Sequence, residues 1–492
     1  MRQNHTTTLF QLMEVAEDDI SGNRAILRHG QSGTLMIFVQ IQRGDAAMSS
    51  VKSLSVPDAV TFIVGIVLGA GIFKTPSLVA ASAGAEWAAL FMWGLGGVIS
   101  LVGSLCYAEL GSAFPHKGGD YHYLSRAYGK APAFVFAWSR LTVIQTGSIA
   151  MLAFLVGDYA SEVLRLGKYS VSCYAAAVIV SLTLVNVAGI HPGKRLQRVL
   201  IAAYFLGLAL LIVAGFSMAE KVDPLPSPHN PLPPEDGLFG KAMIFVLLTY
   251  GGWNEAAYLS AEIQDNRRNM SRVLIYSIGI ITGTYLLVNY VFLRGLGLSG
   301  VSGSEAVAAD LMRLVAGGHG ATFISILIVL ACLSTVNGTI VTGARTAYAL
   351  GRDFRQFSFL ARWQQGTETP VNALIAQGII ALFLVLVGTG NRSGFVMMVE
   401  YTAPVFWLFF LLVGLSIVVL RLKEPSSLRP FRVPLYPLTP ILFSAVCVFM
   451  FYSSLVYAAK GALLGLAVLL AGLPFLLLRA QRTPSTERKG DL

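Results

Sequence analysis

The chain has 492 residues, of which 55% are hydrophobic and 13% charged. Apolar runs near 20 residues recur along it, which excludes an ordinary soluble enzyme and points to a protein that crosses a membrane many times. The net charge of +10 lies in short loops between these runs, the positive-inside pattern, so it does not suggest a nucleic-acid partner.

Residues 1–50 are polar and mixed in charge, and are expected to form a disordered cytoplasmic tail, with Met48 as an alternative start. The first apolar run begins near residue 56, too late for a cleaved secretory signal. Twelve spans are predicted, at about 56–80, 86–112, 132–157, 170–190, 196–218, 238–262, 273–296, 321–347, 371–389, 394–420, 438–458 and 461–478. Residues 51–218 hold the first five. A Pro-rich exterior loop follows at 219–237, with six prolines between Glu220 and Asp236. Residues 238–420 hold five more, 421–478 the last two, and 479–492 a basic cytoplasmic tail. Leu298 to Gly320 is a second long exterior segment with room for a short amphipathic helix. With both termini cytoplasmic, 26 of the 36 Lys and Arg fall inside, eight outside, and Lys74 and Arg140 within spans. The chain is therefore expected to be multi-pass in the cell membrane.

The first span contains Gly65-Ile66-Val67-Leu68-Gly69-Ala70-Gly71-Ile72-Phe73, followed by Pro76. Each interior Gly weakens a helix by up to about 1 kcal/mol relative to Ala. Two readings fit. Gly65 and Gly69 suit a small-residue packing face. Alternatively the helix breaks here, and its freed backbone groups line a solute cavity. The packing reading does not predict a second interruption at the matching place in the second half, and Thr249-Tyr250-Gly251-Gly252-Trp253-Asn254 provides one. Five is odd, so the second set of spans would enter from the opposite side. The expected fold is an all-α membrane protein of about twelve transmembrane helices: a five-plus-five inverted repeat with broken helices 1 and 6, plus two additional helices.

Four motifs in order then become specific. They are Gly69-Ala70-Gly71-Ile72-Phe73; Tyr107-Ala108-Glu109-Leu110-Gly111 with Pro115 to Tyr121; Tyr250 to Asn254 with Glu262 and Arg267-Arg268-Asn269; and Asn337-Gly338 with Arg345 to Asp353. Over about residues 55 to 480 the chain resembles the amino acid–polyamine–organocation (APC) transporter superfamily, and Tyr-Gly-Gly-Trp-Asn is closest to its L-type amino acid transporter branch. The resemblance implies a secondary active amino acid transporter working by alternating access, as symporter or exchanger. It puts the substrate carboxylate at Gly69, Ala70 and Gly71, and the ammonium at the carbonyls of Val67, Leu248 and Gly251. A helix start there offers free N–H groups and a positive dipole end for the carboxylate. Ala70 stands where the family often has Ser, and Leu248 where L-type relatives have an aromatic lid, so large aromatic substrates are not expected. Trp253 suits packing and ligand contact equally. Asn254, polar at mid-membrane, should be hydrogen-bonded inside the bundle.

Lys74, Arg140 and Glu255 each cost about 2.5 to 3.5 kcal/mol facing lipid. They either pair or line a wet vestibule, and Glu255 is also a candidate proton or cation sensor. Glu109 reads as an interfacial anchor. Where proton-linked relatives often carry a Lys in span five, this chain has Tyr204. Ser334 and Thr335 resemble a sodium-binding hydroxyl pair, with the carbonyls of Gly65, Leu68 and Ala331 completing the set; both hydroxyls equally suit bonds within their own helix. Sodium or a proton is thus the candidate coupling ion, and no cofactor is expected. L-type light subunits pair with a glycoprotein through a Cys between spans three and four. Residues Asp158 to Ser172 have none, so no disulfide-linked heavy subunit is expected.

Rival functions fare less well. A polyamine or other organic-cation carrier would need several acids in the cavity, and only Glu255 is a clear one. An enzyme would need clustered ligands or a nucleophile and base, and no HExxH, CxxC or G-x-S-x-G occurs. A channel would need pore-lining charge rings or filter repeats. Cys106, Cys173, Cys332 and Cys447 form no metal or disulfide pattern and read as small packing residues.

Overall fold

A computed structural model of the chain describes residues 54–480 apart from 117, 190–193, 219–237, 365, 368, 390–392 and 458. The two terminal tails, Met48 and the Pro-rich loop lie outside the described residues, save for the helix end at 479–480. The described residues are overwhelmingly helical, and their only β pairings are two isolated bridges.

The first span starts cleanly. Ser55 caps helix α1 (Val56–Val67) by accepting from the Asp58 N–H, and Pro57 takes an early position where no N–H is needed. The helix then stops. Gly69 is extended, a 3₁₀ turn runs Ala70–Phe73, and α2 covers Thr75–Ala83. Helix α3 (Glu86–Ala113) crosses fully, and α4 (Gly119–Tyr128) forms a loop helix. The third span is α5 (Lys130–Ser139), a π turn (Arg140–Ile144) and α6 (Gln145–Val163). Helices α7 (Ser170–Val187) and α8 (Lys194–Met218) complete the first half.

The second half opens with α9 (Leu238–Tyr250). Gly252, at φ 110°, a conformation that favours glycine, turns the chain into a 3₁₀ turn (Trp253–Glu255) and the short α10 (Ala256–Leu259). Helix α11 (Asn266–Gly303) bends at Gly297, and α12 (Val307–Asp353) breaks at Ala316 and Gly317. Then follow α13 (Val371–Thr389), α14 (Gly394–Lys423), α15 (Leu438–Tyr457), α16 (Ala459–Leu470) and α17 (Leu473–Ala480). Eight helices among the described residues are long and apolar enough to span a membrane, with shorter apolar helices beside them. Three of the expected spans, at 56–80, 238–262 and 461–478, do not form as single helices among the described residues. Each is divided by glycine, at Gly69, at Gly251-Gly252 and at Gly472, into pieces shorter than a bilayer.

Small residues let the helix backbones approach. A Cβ at Gly96 would come within 2.4 Å of Val246 on α9, and one at Gly97 within 2.4 Å of Thr282 on α11. This close packing of α3 on the second half is the use membrane helices make of glycine. In the π turn one residue is inserted into span three. The Tyr401 hydroxyl donates to the Thr142 carbonyl at 2.9 Å, and Gln145 Nε2 reaches the Thr339 carbonyl at 2.9 Å on α12.

Three expectations are corrected here. Glu109 is no interfacial anchor: it is 2% exposed and gripped by Arg421 through Nε and Nη2, at 2.8 and 2.6 Å. Arg429 lies 3.7 Å away, and the Val433 N–H donates at 2.7 Å. Asp158 is not in a loop, because α6 continues to Val163. Cys173 is exposed, whereas the other three cysteines are buried. Glu109→Ala should remove the carboxylate that holds the half-buried guanidinium groups of Arg421 and Arg429 and lower stability by about 1.5–3 kcal/mol. Thermal unfolding of the purified variant reads this directly, and an unchanged melting temperature would show that the clamp carries no load.

Candidate functional site

Where the first and sixth spans break, they face each other. A Cβ on Gly71 would lie 3.3 Å from Thr249 Cγ2, and one on Gly252 would lie 3.0 Å from Ile66 and 3.4 Å from Val67. Thr249 Oγ1 is 2.9 Å from Thr75 Oγ1, whose hydroxyl donates to the Gly71 carbonyl at 2.8 Å. The two breaks are thus held by hydroxyls as well as by shape.

Breaking a helix leaves carbonyls at the end of one half and N–H groups at the start of the next. The Tyr285 hydroxyl on α11 lies 2.6 Å from the Val67 carbonyl and 2.8 Å from the Thr249 carbonyl, so it bridges the two broken ends. It has one proton for two acceptors. The opposite pole belongs to Ala70 and Gly71, the first residues of the 3₁₀ turn, whose N–H groups have no partner within it. The result is one electropositive and one electronegative edge a few residues apart.

The other sequence-predicted residues fall into separate groups. Val67 and Leu68 are buried, Gly65 is exposed, and Gly69, Leu248 and Gly251 are half-buried at the breaks. The Trp253 ring is buried in an aromatic box, 5.1 Å from Tyr107 and 5.5 Å from Phe410 between ring centres. Asn254 is buried beside the carboxyl of Asp120. Glu255 pairs with Arg140 at 3.0 Å, and Lys74 pairs with Asp158 at 2.9 Å while donating to the Glu305 carbonyl at 2.9 Å. All three intramembrane charges therefore have partners. The Thr335 hydroxyl donates to the Ala331 carbonyl at 3.2 Å, within its own helix, and Ser334 is half-buried one residue earlier. Tyr204 is buried against Phe73, and its hydroxyl has no hydrogen-bond partner among the described residues.

Sequence reasoning missed Tyr285, Thr249, Thr75 and Asp158. Tyr285 belongs to no motif; its only signal is a polar tip in an apolar run, near Thr282, Thr284 and Asn289. No group of three or more His, Cys, Asp or Glu able to hold a metal occurs among the described residues.

The chain is similar to known proteins over most of its length. A family model described as amino acid permease matches residues 54–472. The human b(0,+)-type amino acid transporter 1 is 29% identical over 406 residues, covering 81% of this chain and 82% of its own length. The human large neutral amino acids transporter small subunit 2 is 29% identical over 463 residues, covering 92% and 85%. Its mouse counterpart is 29% identical over 442 residues, covering 88% and 81%.

Tyr285→Phe removes the hydroxyl that reaches both the Val67 and the Thr249 carbonyls, leaving Val67 with the Gly69 N–H as its donor. The expected loss is about 1–3 kcal/mol, measured as chemical or thermal unfolding of the substrate-free protein. A variant as stable as the parent would mean that the bridge does not hold the breaks together.

Proposed function

The chain belongs to the amino acid permease family and moves amino acids across a membrane; from that premise we propose that it does so by alternating access around the paired helix breaks. No bond in the substrate changes, and the protein is not an enzyme. The proposed architecture is the twelve-span, five-plus-five inverted repeat with two additional spans, both termini cytoplasmic, in the cell membrane.

An amino acid carries a carboxylate and an ammonium, and each must exchange its water for fixed dipoles. In this reading the N–H groups at Ala70 and Gly71 hold the carboxylate, joined by Gly69 when its N–H leaves the Val67 carbonyl it now bonds. The carbonyls of Val67, Leu248 and Gly251 hold the ammonium, with Leu248 also accepting from the Gly251 N–H. The carrying observation is the Tyr285 hydroxyl bridging the Val67 and Thr249 carbonyls. A single proton is shared between the two carbonyls, and the Val67 carbonyl also accepts from the Gly69 N–H at 2.6 Å. An ammonium brings three donors to the same edge and so binds there with more to offer than the hydroxyl it joins. Leu248 in place of an aromatic lid favours small and medium neutral side chains. The organic-cation alternative loses ground because Glu255, the one clear acid, is already paired with Arg140.

We take transport to be sodium-independent, because the Thr335 hydroxyl and the Ala331 carbonyl, two members of the sodium set, bond each other. Trp253 serves as a wall through its aromatic box, and Asn254 as a link from the site to the charged layer beneath. One relative's name marks it as a small subunit. For this chain we propose no disulfide-linked partner, since residues 158–172 contain no Cys.

The test is uptake of a radiolabelled amino acid panel into proteoliposomes, with and without amino acid inside and with and without a sodium gradient. Exchange of small neutral amino acids, indifferent to sodium, is expected; accumulation that requires sodium would overturn the ion assignment. Gly71→Leu should abolish uptake while membrane insertion persists, because its Cβ already meets Thr249 at 3.3 Å and the rest of the side chain fills the carboxylate site. Normal uptake by that variant would sink the site.

A further inference from the structure

Below the helix breaks, charged groups converge where α4, the π turn of span three and the second half of span six pack together. Arg140 is 5% exposed. Its Nη2 meets Glu255 Oε1 at 3.0 Å, its Nη1 donates to the Tyr258 hydroxyl, and its Nε has no partner among the described residues. Asp120, the second residue of α4, is 3% exposed. Its carboxyl lies beside the Tyr107 hydroxyl and the Asn254 side chain, both of which interact with it by hydrogen bonding. The close approach of Gly119 to the Tyr258 ring, 2.8 Å from a would-be Cβ, brings the start of α4 onto this cluster.

Among the described residues the charges do not balance. One guanidinium serves two carboxylates, Glu255 in direct contact and Asp120 through space. Among the described residues, the surrounding elements supply no second cation. From α3 comes Tyr107, from α4 Tyr123, from span six Asn254, Glu255 and Tyr258. The cations of α14 are committed elsewhere, Arg421 to Glu109 and Lys423 to the Ala127 carbonyl. A buried group with surplus negative charge is stabilised by binding a cation small enough to need no cavity.

We propose that this cluster is a proton-binding site, in which Asp120 takes up a proton that enters past Glu255 and thereby balances the charge around Arg140. Glu255 is the wet end, its side chain 30% exposed against 6% for Arg140. Burial pushes the Asp120 carboxyl up to about 7, against the lowering effect of Arg140 and with Glu255 adding to the rise. Below that pH Asp120 is neutral and the cluster is balanced. Above it a second, uncompensated negative charge appears between α4 and span six and favours their separation. The inference rests on the transporter reading, in which span six moves relative to α4 during each cycle.

The experiment is amino acid exchange by the full chain in proteoliposomes, with equal pH on both sides, scanned from about 5.5 to 8.5 across the raised carboxyl range. The expected result is a several-fold rise in exchange rate with a midpoint near the Asp120 value. Asp120→Asn should erase the transition and hold the rate at its low-pH level. Glu255→Gln should move the midpoint to lower pH, because it removes the neighbouring negative charge and frees Arg140 for Asp120; it serves as the second variant if Asp120→Asn does not fold. Robust exchange with no transition in the parent, or a transition unchanged in both variants, overturns the proton site while leaving the transporter reading intact. No exchange by the parent at any pH would instead overturn the transporter reading.

Discussion

Everything in this structure answers to one constraint: a backbone inside a bilayer has no water to bond with. Intact helices solve this internally, and a broken helix does not. The breaks at Gly69 and Gly252 leave polar ends in the middle of the bundle, and their neighbours exist to manage them. Tyr285 spans the two carbonyl ends, Thr249 and Thr75 join the breaks side to side, and glycine permits the close approach. The same incompleteness that must be managed is what gives the protein something to offer a zwitterion.

The charged residues obey a parallel rule. Lys74 with Asp158, Arg140 with Glu255, and Glu109 with Arg421 and Arg429 are each shared between distant segments. Such pairs add little net stability over apolar packing, yet breaking one is costly. They therefore fix which segments meet. Lys74 ties the second half of span one to the end of span three and to the Glu305 carbonyl, while Glu109 ties α3 to α14 and the loop beyond it.

Much of this was legible in the sequence because its causes are local. Glycine within an apolar run announces a break, and Ser55 and Pro57 announce a helix start. The second interruption at Gly251-Gly252 was visible for the same reason. What the sequence could not disclose was pairing across long separations. Nothing near Glu109 names Arg421, more than 300 residues on, and nothing near Lys74 names Asp158. Tyr285 escaped notice because a tyrosine in an apolar run looks like packing until the carbonyls it reaches are known. Glu109 was misjudged because a carboxylate near a span end resembles an interfacial anchor when its partners are unseen.

The π turn at Arg140–Ile144 carries a different kind of consequence. One inserted residue rotates all that follows by about 100°, a single step of a helix with 3.6 residues per turn. The face that α6 presents to α12, where Gln145 bonds the Thr339 carbonyl, is therefore set by a phase offset as much as by side-chain choice. Deleting one residue from this turn would leave nearly the same composition and the same span length. It would nonetheless turn every contact of α6 away from its present neighbour, so the register of half the third span is stored in a single extra peptide unit.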